Sequence, residues 1–163
     1  MSSDVRDWVM QLSDIESSTN STYPRQFQER VRGRVKRRLG KHAGLSHLSV
    51  LVVELPPGVA TSLRMWQTSE DEFYYVLEGE PTLVTDLGEV RLQPGQSVGF
   101  PAGRPVGHHF INRGSRLARV LEVASVAPHG NESVYTEDDL LLVDAPDGKG
   151  RIFVNRKRVP YEI

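Results

Sequence analysis

The chain contains no cysteine. That excludes disulfides and any thiolate metal site, and it fits the cytoplasm, the expected location. An excess of one charge is also missing. Lys and Arg number 20 and Asp and Glu 21, for a net charge of -1. A balance this near neutral gives no overall attraction to nucleic acid or to an anionic membrane. Long hydrophobic runs are absent too: the strongest apolar stretch, around residues 50–53, is far too short to span a bilayer. The opening residues, MSSDVRDWVMQLSDIESSTN, lack the charged start and apolar run of a signal peptide. Gly148-Lys149-Gly150 reads as a turn, because no Walker-type spacing precedes it. No Ser-His-Asp signature, internal repeat or low-complexity tract is present.

What remains is 163 residues of ordinary composition, enough for one domain with its own core. Residues 1–46 read as an N-terminal arm. Ser, Asp and Asn dominate it up to Thr22, and a basic run follows at Arg25, Arg30, Arg32, Arg34, Lys36, Arg37, Arg38 and Lys41. The expectation is a solvated arm laid along the domain edge, with one short helix over residues 4–12. No DNA-reading motif accompanies the basic run, so nucleic acid is not an expected partner. From residue 47 the pattern becomes short apolar segments split by turn residues. Strands are expected over 47–55, 61–67, 73–79, 82–85, 89–92, 97–100, 107–112 and 117–126, with turns at Pro56-Pro57-Gly58, Pro94-Gly95 and Pro101-Ala102-Gly103. Turn signals at such intervals point to an all-β sandwich or barrel. Residues 47–126 form the expected barrel core. Residues 127–163 are a tail packing on it, with edge strands over 140–143 and 151–154.

Two stretches carry a more specific pattern. Gly58 opens the first, SEDEFYYVLEGE fills it and Gly79 closes it. The second runs PGQSVGFPAG and continues to His108 and Asn112. Together they resemble the two motifs of the cupin superfamily, the double-stranded β-helix barrels, and the similarity extends over roughly residues 38–142. The resemblance implies an all-β cupin barrel, jelly-roll-like, with a small-molecule pocket inside. It also implies a divalent metal held by two His, one Glu and a third His. Carried over by position, these fall on Met65, Gln67, Glu72 and His108, so two of the four ligands are changed.

Side chains alternate along a strand. Met65 and Gln67 therefore share one face, as do Glu72 with Tyr74 and His108 with Phe110. In the cupin register these six line one cavity. A thioether at Met65 suits Cu(I) rather than Zn, Mn or Fe, and Gln67 offers only an amide oxygen. No cofactor is expected, and Glu72 with His108 would support weak divalent metal binding at most. Metal-free chemistry is open to them as an acid/base pair: burial raises a carboxyl pKa and a nearby imidazolium lowers it. Met65, Gln67, Tyr74 and Phe110 are the expected ligand-binding residues. Three functions are consistent with the sequence. One is a sugar or sugar-phosphate isomerase or epimerase using Glu72 and His108, with arm arginines near the phosphate. The second is a non-catalytic binding or sensing cupin, and the third a metal-dependent oxygenase. Outward Phe73 and Tyr75, with the long arm, point to a homodimer.

Overall fold

The structure, a computed structural model, describes residues 4–162. The first three residues of the arm and the last of the tail lie outside that range. Strands dominate, in the order β1 Ser17–Ser18, β2 Val35–Arg38, β3 Leu48–Leu55, β4 Met65–Gln67, β5 Glu72–Glu78, β6 Thr82–Thr85, β7 Gly88–Arg91, β8 Ser97–Phe100, β9 His108–Ile111, β10 Ala118–Ser125, β11 Ser133–Tyr135, β12 Leu141–Asp144 and β13 Arg151–Val154. Two four-residue helices, α1 Arg25–Gln28 and α2 Leu39–His42, flank β2. No helix among the described residues is long and apolar enough to cross a membrane.

The strands form two antiparallel sheets. One runs β1-β2-β3-β10-β5-β8 and the other β13-β12-β11-β4-β9-β6-β7. This is the all-β barrel expected from the turn spacing. The alternation that builds it is plain in β5, where Glu72, Tyr74 and Val76 are buried and Phe73, Tyr75 and Leu77 are exposed. Inward residues of both sheets meet in one apolar cluster that includes Leu51, Val53, Leu55, Val76, Phe110 and Val120. A second cluster gathers Tyr23, Leu63, Met65, Tyr135, Leu140 and Phe153 near the tail strands. Asn112 clips the barrel behind β9: its amide donates to the carbonyls of Leu55 and Arg116, both at 2.7 Å. Gly79 permits the turn out of β5. Its φ is +72°, and a Cβ there would sit 2.6 Å from the Leu117 carbonyl oxygen.

Three local expectations change. The helix expected over residues 4–12 is instead two separate 3-10 turns, Val5–Trp8 and Leu12–Asp14. Val5, Trp8 and Val9 stay exposed, and so short a helix needs an apolar face packed on something to persist. The strand expected over 61–67 is regular only in β4, and Ala60 bridges to Ile111 ahead of it. The basic run is only partly a solvated arm. β2 adds to the free edge of β3, pairing Lys36 with Val53 and Arg38 with Leu51. Alternate residues of an added strand face the interior. Arg34 is accordingly buried, with 4% exposure, and Lys36 faces inward across from buried Val53.

Candidate functional site

Between the two sheets lies a cavity of about 180 Å³. The six-stranded sheet contributes Lys36, Tyr74 and Glu122 to its wall. The facing sheet contributes Met65, Gln67, Ser133, Tyr135 and Arg151. Tyr23, Arg34 and Thr61 enter from the segments between strands. The volume is below the roughly 300–1,000 Å³ of drug-sized pockets, so the space suits a small metabolite.

Of the six residues expected from sequence, Met65, Gln67 and Tyr74 lie on this wall. Phe110 does not: it is fully buried in the apolar cluster, packed against Tyr74 with ring centroids 5.0 Å apart. Alternation gave its face correctly but says nothing about its depth. Glu72 and His108 come together behind the wall, both buried. His108 Nε2 stands 2.9 Å from Glu72 Oε2, and Tyr74 donates its hydroxyl to Glu72 Oε1 at 2.9 Å. His108 Nδ1 faces the Val106 carbonyl at 3.0 Å, and the ring lies flat on Phe100, 3.5 Å away. A carbonyl only accepts, so Nδ1 carries a hydrogen. Nε2 and Glu72 then share one proton, as imidazolium with carboxylate or as imidazole with carboxylic acid. The result is a chain from the cavity wall inward: Tyr74, Glu72, His108.

The same geometry decides how well the four family metal positions fit a cation. Glu72 and His108 are bonded to each other. The Gln67 amide oxygen already accepts from Asn131 and Ser133, both at 2.9 Å. Met65 adds a thioether. One free soft donor and three engaged groups do not make a divalent metal site. Among the described residues, no group of three or more His, Asp or Glu side chains could hold a metal ion.

The wall also holds Arg34 and Lys36 from the basic run, and two groups not among the expected site residues, Glu122 and Arg151. Lys36 is pulled down to about 8, first by burial and then by repulsion from Arg34. Glu122 is raised by burial, with Lys36 opposing the shift. Tyr23, Tyr74 and Tyr135 are all raised by burial, so their hydroxyls remain protonated donors. Two signals were available. Glu122 interrupts the inward row of Val120 and Ala124, and Arg34 and Lys36 alternate with Val35 and Arg37. His109, next along β9, is tied within the chain by donating Nδ1–H to the Ser62 carbonyl at 2.8 Å.

Comparison with known proteins agrees with this architecture. The Cupin domain family model matches residues 51–124. A sugar phosphate isomerase of Silicibacter pomeroyi, from the cupin superfamily, is 35% identical; the match covers 94% of this chain and 96% of that one, with a TM-score of 0.88. A protein of Acidithiobacillus ferrooxidans, at 21% identity over 98% and 99% of the two chains and a TM-score of 0.78, shares the fold. So does a polyketide cyclase of Streptomyces resistomycificus, at 24% identity over 72% and 78% and a TM-score of 0.59. None of the curated proteins compared with the chain matches it.

Proposed function

The chain belongs to the cupin superfamily, and from that premise we propose that it is a metal-independent isomerase or epimerase of a small sugar or sugar phosphate. The observation that carries the reading is the proton chain ending at the cavity wall. Tyr74 Oη exchanges a proton with the bound molecule. Glu72 Oε1 takes or returns the proton that Tyr74 carries, and His108 Nε2 holds the balancing proton on Oε2. Positioned proton transfer of this kind contributes roughly 10²–10⁴ in rate. Gln67, Ser133 and Tyr135 surround the ligand with hydrogen-bonding groups. The isomerase activity of the Silicibacter pomeroyi relative supports the same reaction class.

The test is Glu72→Gln, assayed on a panel of aldose and ketose phosphates in deuterated water. The amide keeps the shape but cannot relay a proton. Turnover and carbon-bound deuterium uptake should fall by about 10²-fold or more, while ligand affinity holds. A wild-type protein that shows no turnover and no exchange on the panel sinks the isomerase. That outcome favours the second reading, a non-catalytic binding cupin, whose supporting observation is that Glu72, His108 and Tyr74 already satisfy one another. The metal-independent part has its own test. Met65→His with Gln67→His should raise zinc affinity by more than tenfold, since each change adds an imidazole donor. Stoichiometric iron or manganese in the purified parent would favour the metal-dependent oxygenase instead.

The same proposal extends to assembly as a homodimer in the cytoplasm. The outer face of the six-stranded sheet exposes Phe73, Tyr75 and Leu77 at 43%, 38% and 43%. Phe73 also lines a groove of about 580 Å³, with Leu48, Phe100 and Val123. A contiguous apolar face of this kind supports a protein contact, and a second copy of the chain is the partner proposed. A monomer mass by light scattering at micromolar concentration would overturn it.

A further inference from the structure

Three arginines have a buried Nε–H without a hydrogen-bond acceptor: Arg34, Arg64 and Arg119. Two of them still face a carboxylate. Arg64 Nε is 3.3 Å from Asp86 and Arg119 Nε is 3.9 Å from Glu54. Arg34 has no carboxylate within ion-pair distance among the described residues. Its guanidinium donates from Nη1 to the Thr61 carbonyl at 2.5 Å, and the Tyr23 ring lies 5.4 Å from the guanidinium carbon. A buried cation without a counter-charge is costly, and proteins pair or hydrate such groups. Arg34 instead lines the cavity.

Its neighbours on the wall deepen the imbalance. Lys36 and Arg151 are also without a carboxylate within ion-pair distance among the described residues. Arg151 spends its Nη2 on the carbonyls of Asn131 and Leu142 and on the Ser133 hydroxyl. Glu122 is the one carboxylate on the cavity wall. Three cations against one carboxylate leave an excess of two positive charges, which is the charge of one phosphate monoester dianion.

We propose that Arg34, Lys36 and Arg151 form an anion cradle between the two sheets, and that it takes the phosphoryl group of a phosphate monoester. The cradle makes the phosphate the anchor of the substrate and leaves the sugar carbons facing Tyr74. Its assignment to a sugar phosphate rests on the isomerase reading, whereas the anion site itself does not. A planar guanidinium with a free Nε–H suits a phosphate because its donors form a fork.

The experiment is thermal unfolding of the full chain at fixed ionic strength, titrated separately with inorganic phosphate, glucose 6-phosphate, ribose 5-phosphate and glucose. The phosphate monoesters should raise Tm and glucose should not. Arg34→Met should weaken monoester affinity by roughly 10- to 100-fold. Arg37→Met, on β2 where Arg37 pairs with Glu54, should leave it unchanged. An equal response from Arg34→Met and wild type, or from glucose and glucose 6-phosphate, overturns the cradle. Inorganic phosphate binding as tightly as both monoesters keeps the anion site and overturns the monoester assignment. If Arg34→Met does not fold, Arg34→Lys replaces it: a point charge without the fork should bind several-fold more weakly, and unchanged affinity again overturns the proposal. Arg34-dependent binding without turnover leaves the cradle standing and removes the isomerase. Turnover of unphosphorylated sugars, untouched by Arg34→Met, does the reverse.

Discussion

Two polar groups share the interior of this barrel, and they differ in how completely they are paired. Glu72, His108 and Tyr74 form a closed set in which each acceptor meets a donor. Arg34, Lys36 and Glu122 stand beside them on the cavity wall with no ion pair among them. The first set completes its own bonding, which holds its proton chain in place before any ligand arrives. The second carries uncompensated charge, which natural proteins tolerate where a ligand supplies the missing partner. The difference teaches that burial alone does not tell a pre-organised polar set from one that awaits a partner. What separates them is whether the protein itself completes their bonding.

The comparison can be broken from either side. The largest effect is expected from His108→Leu, which leaves Glu72 enclosed without its partner and should cost about 3–5 kcal/mol in urea unfolding. Adding Glu72→Leu to that variant should recover part of the loss, because the orphaned group is then gone as well. If the double variant is no more stable than His108→Leu, the set is not held together by mutual pairing.

The next effect has the opposite sign. In the folded chain Lys36 sits near 8 rather than the ordinary 10.5. Its charged form is therefore disfavoured on folding. The cost is fully present below pH 8 and fades as the pH rises from about 8 toward 10.5. Lys36→Met should then be more stable than wild type at pH 7, by on the order of 1–3 kcal/mol. The gap should close in alkaline buffer. Equal stability at pH 7 would mean that Lys36 is already compensated, and the contrast between the two sets would weaken.

Tyr74→Phe should have the smallest effect, about 1–2 kcal/mol, since it removes one hydrogen bond to Glu72 and leaves the apolar packing on Phe110 in place. A much larger loss would place Tyr74 at the centre of the closed set rather than at its cavity end.

Much of this was legible in the sequence, and for identifiable reasons. Alternation in EDEFYYVLEGE assigns Glu72, Tyr74 and Val76 to one face, and β5 has that pattern. Turn residues mark strand ends well, so that β6, β8 and β13 have the expected bounds. Periodicity does not report depth, which is why Phe110 falls in the core and Glu72 lies behind the wall. Nor does it report which distant segment completes a sheet. Arg34 and Lys36 enter the site only because β2 pairs with β3, and Arg151 only because β13 extends the opposite sheet through β12. Such partners are set by tertiary pairing between segments far apart in the chain.

The pairing of β2 with the margin of β3 has an engineering consequence. Two of the three proposed cradle cations, Arg34 and Lys36, ride on a short ribbon that is covalently upstream of the barrel and docked by main-chain bonds. Main-chain docking is indifferent to the side chains it carries. Grafting a different ribbon onto the same scaffold would rewrite ligand preference while leaving the interior packing of Leu51, Val53 and Val120 as it stands.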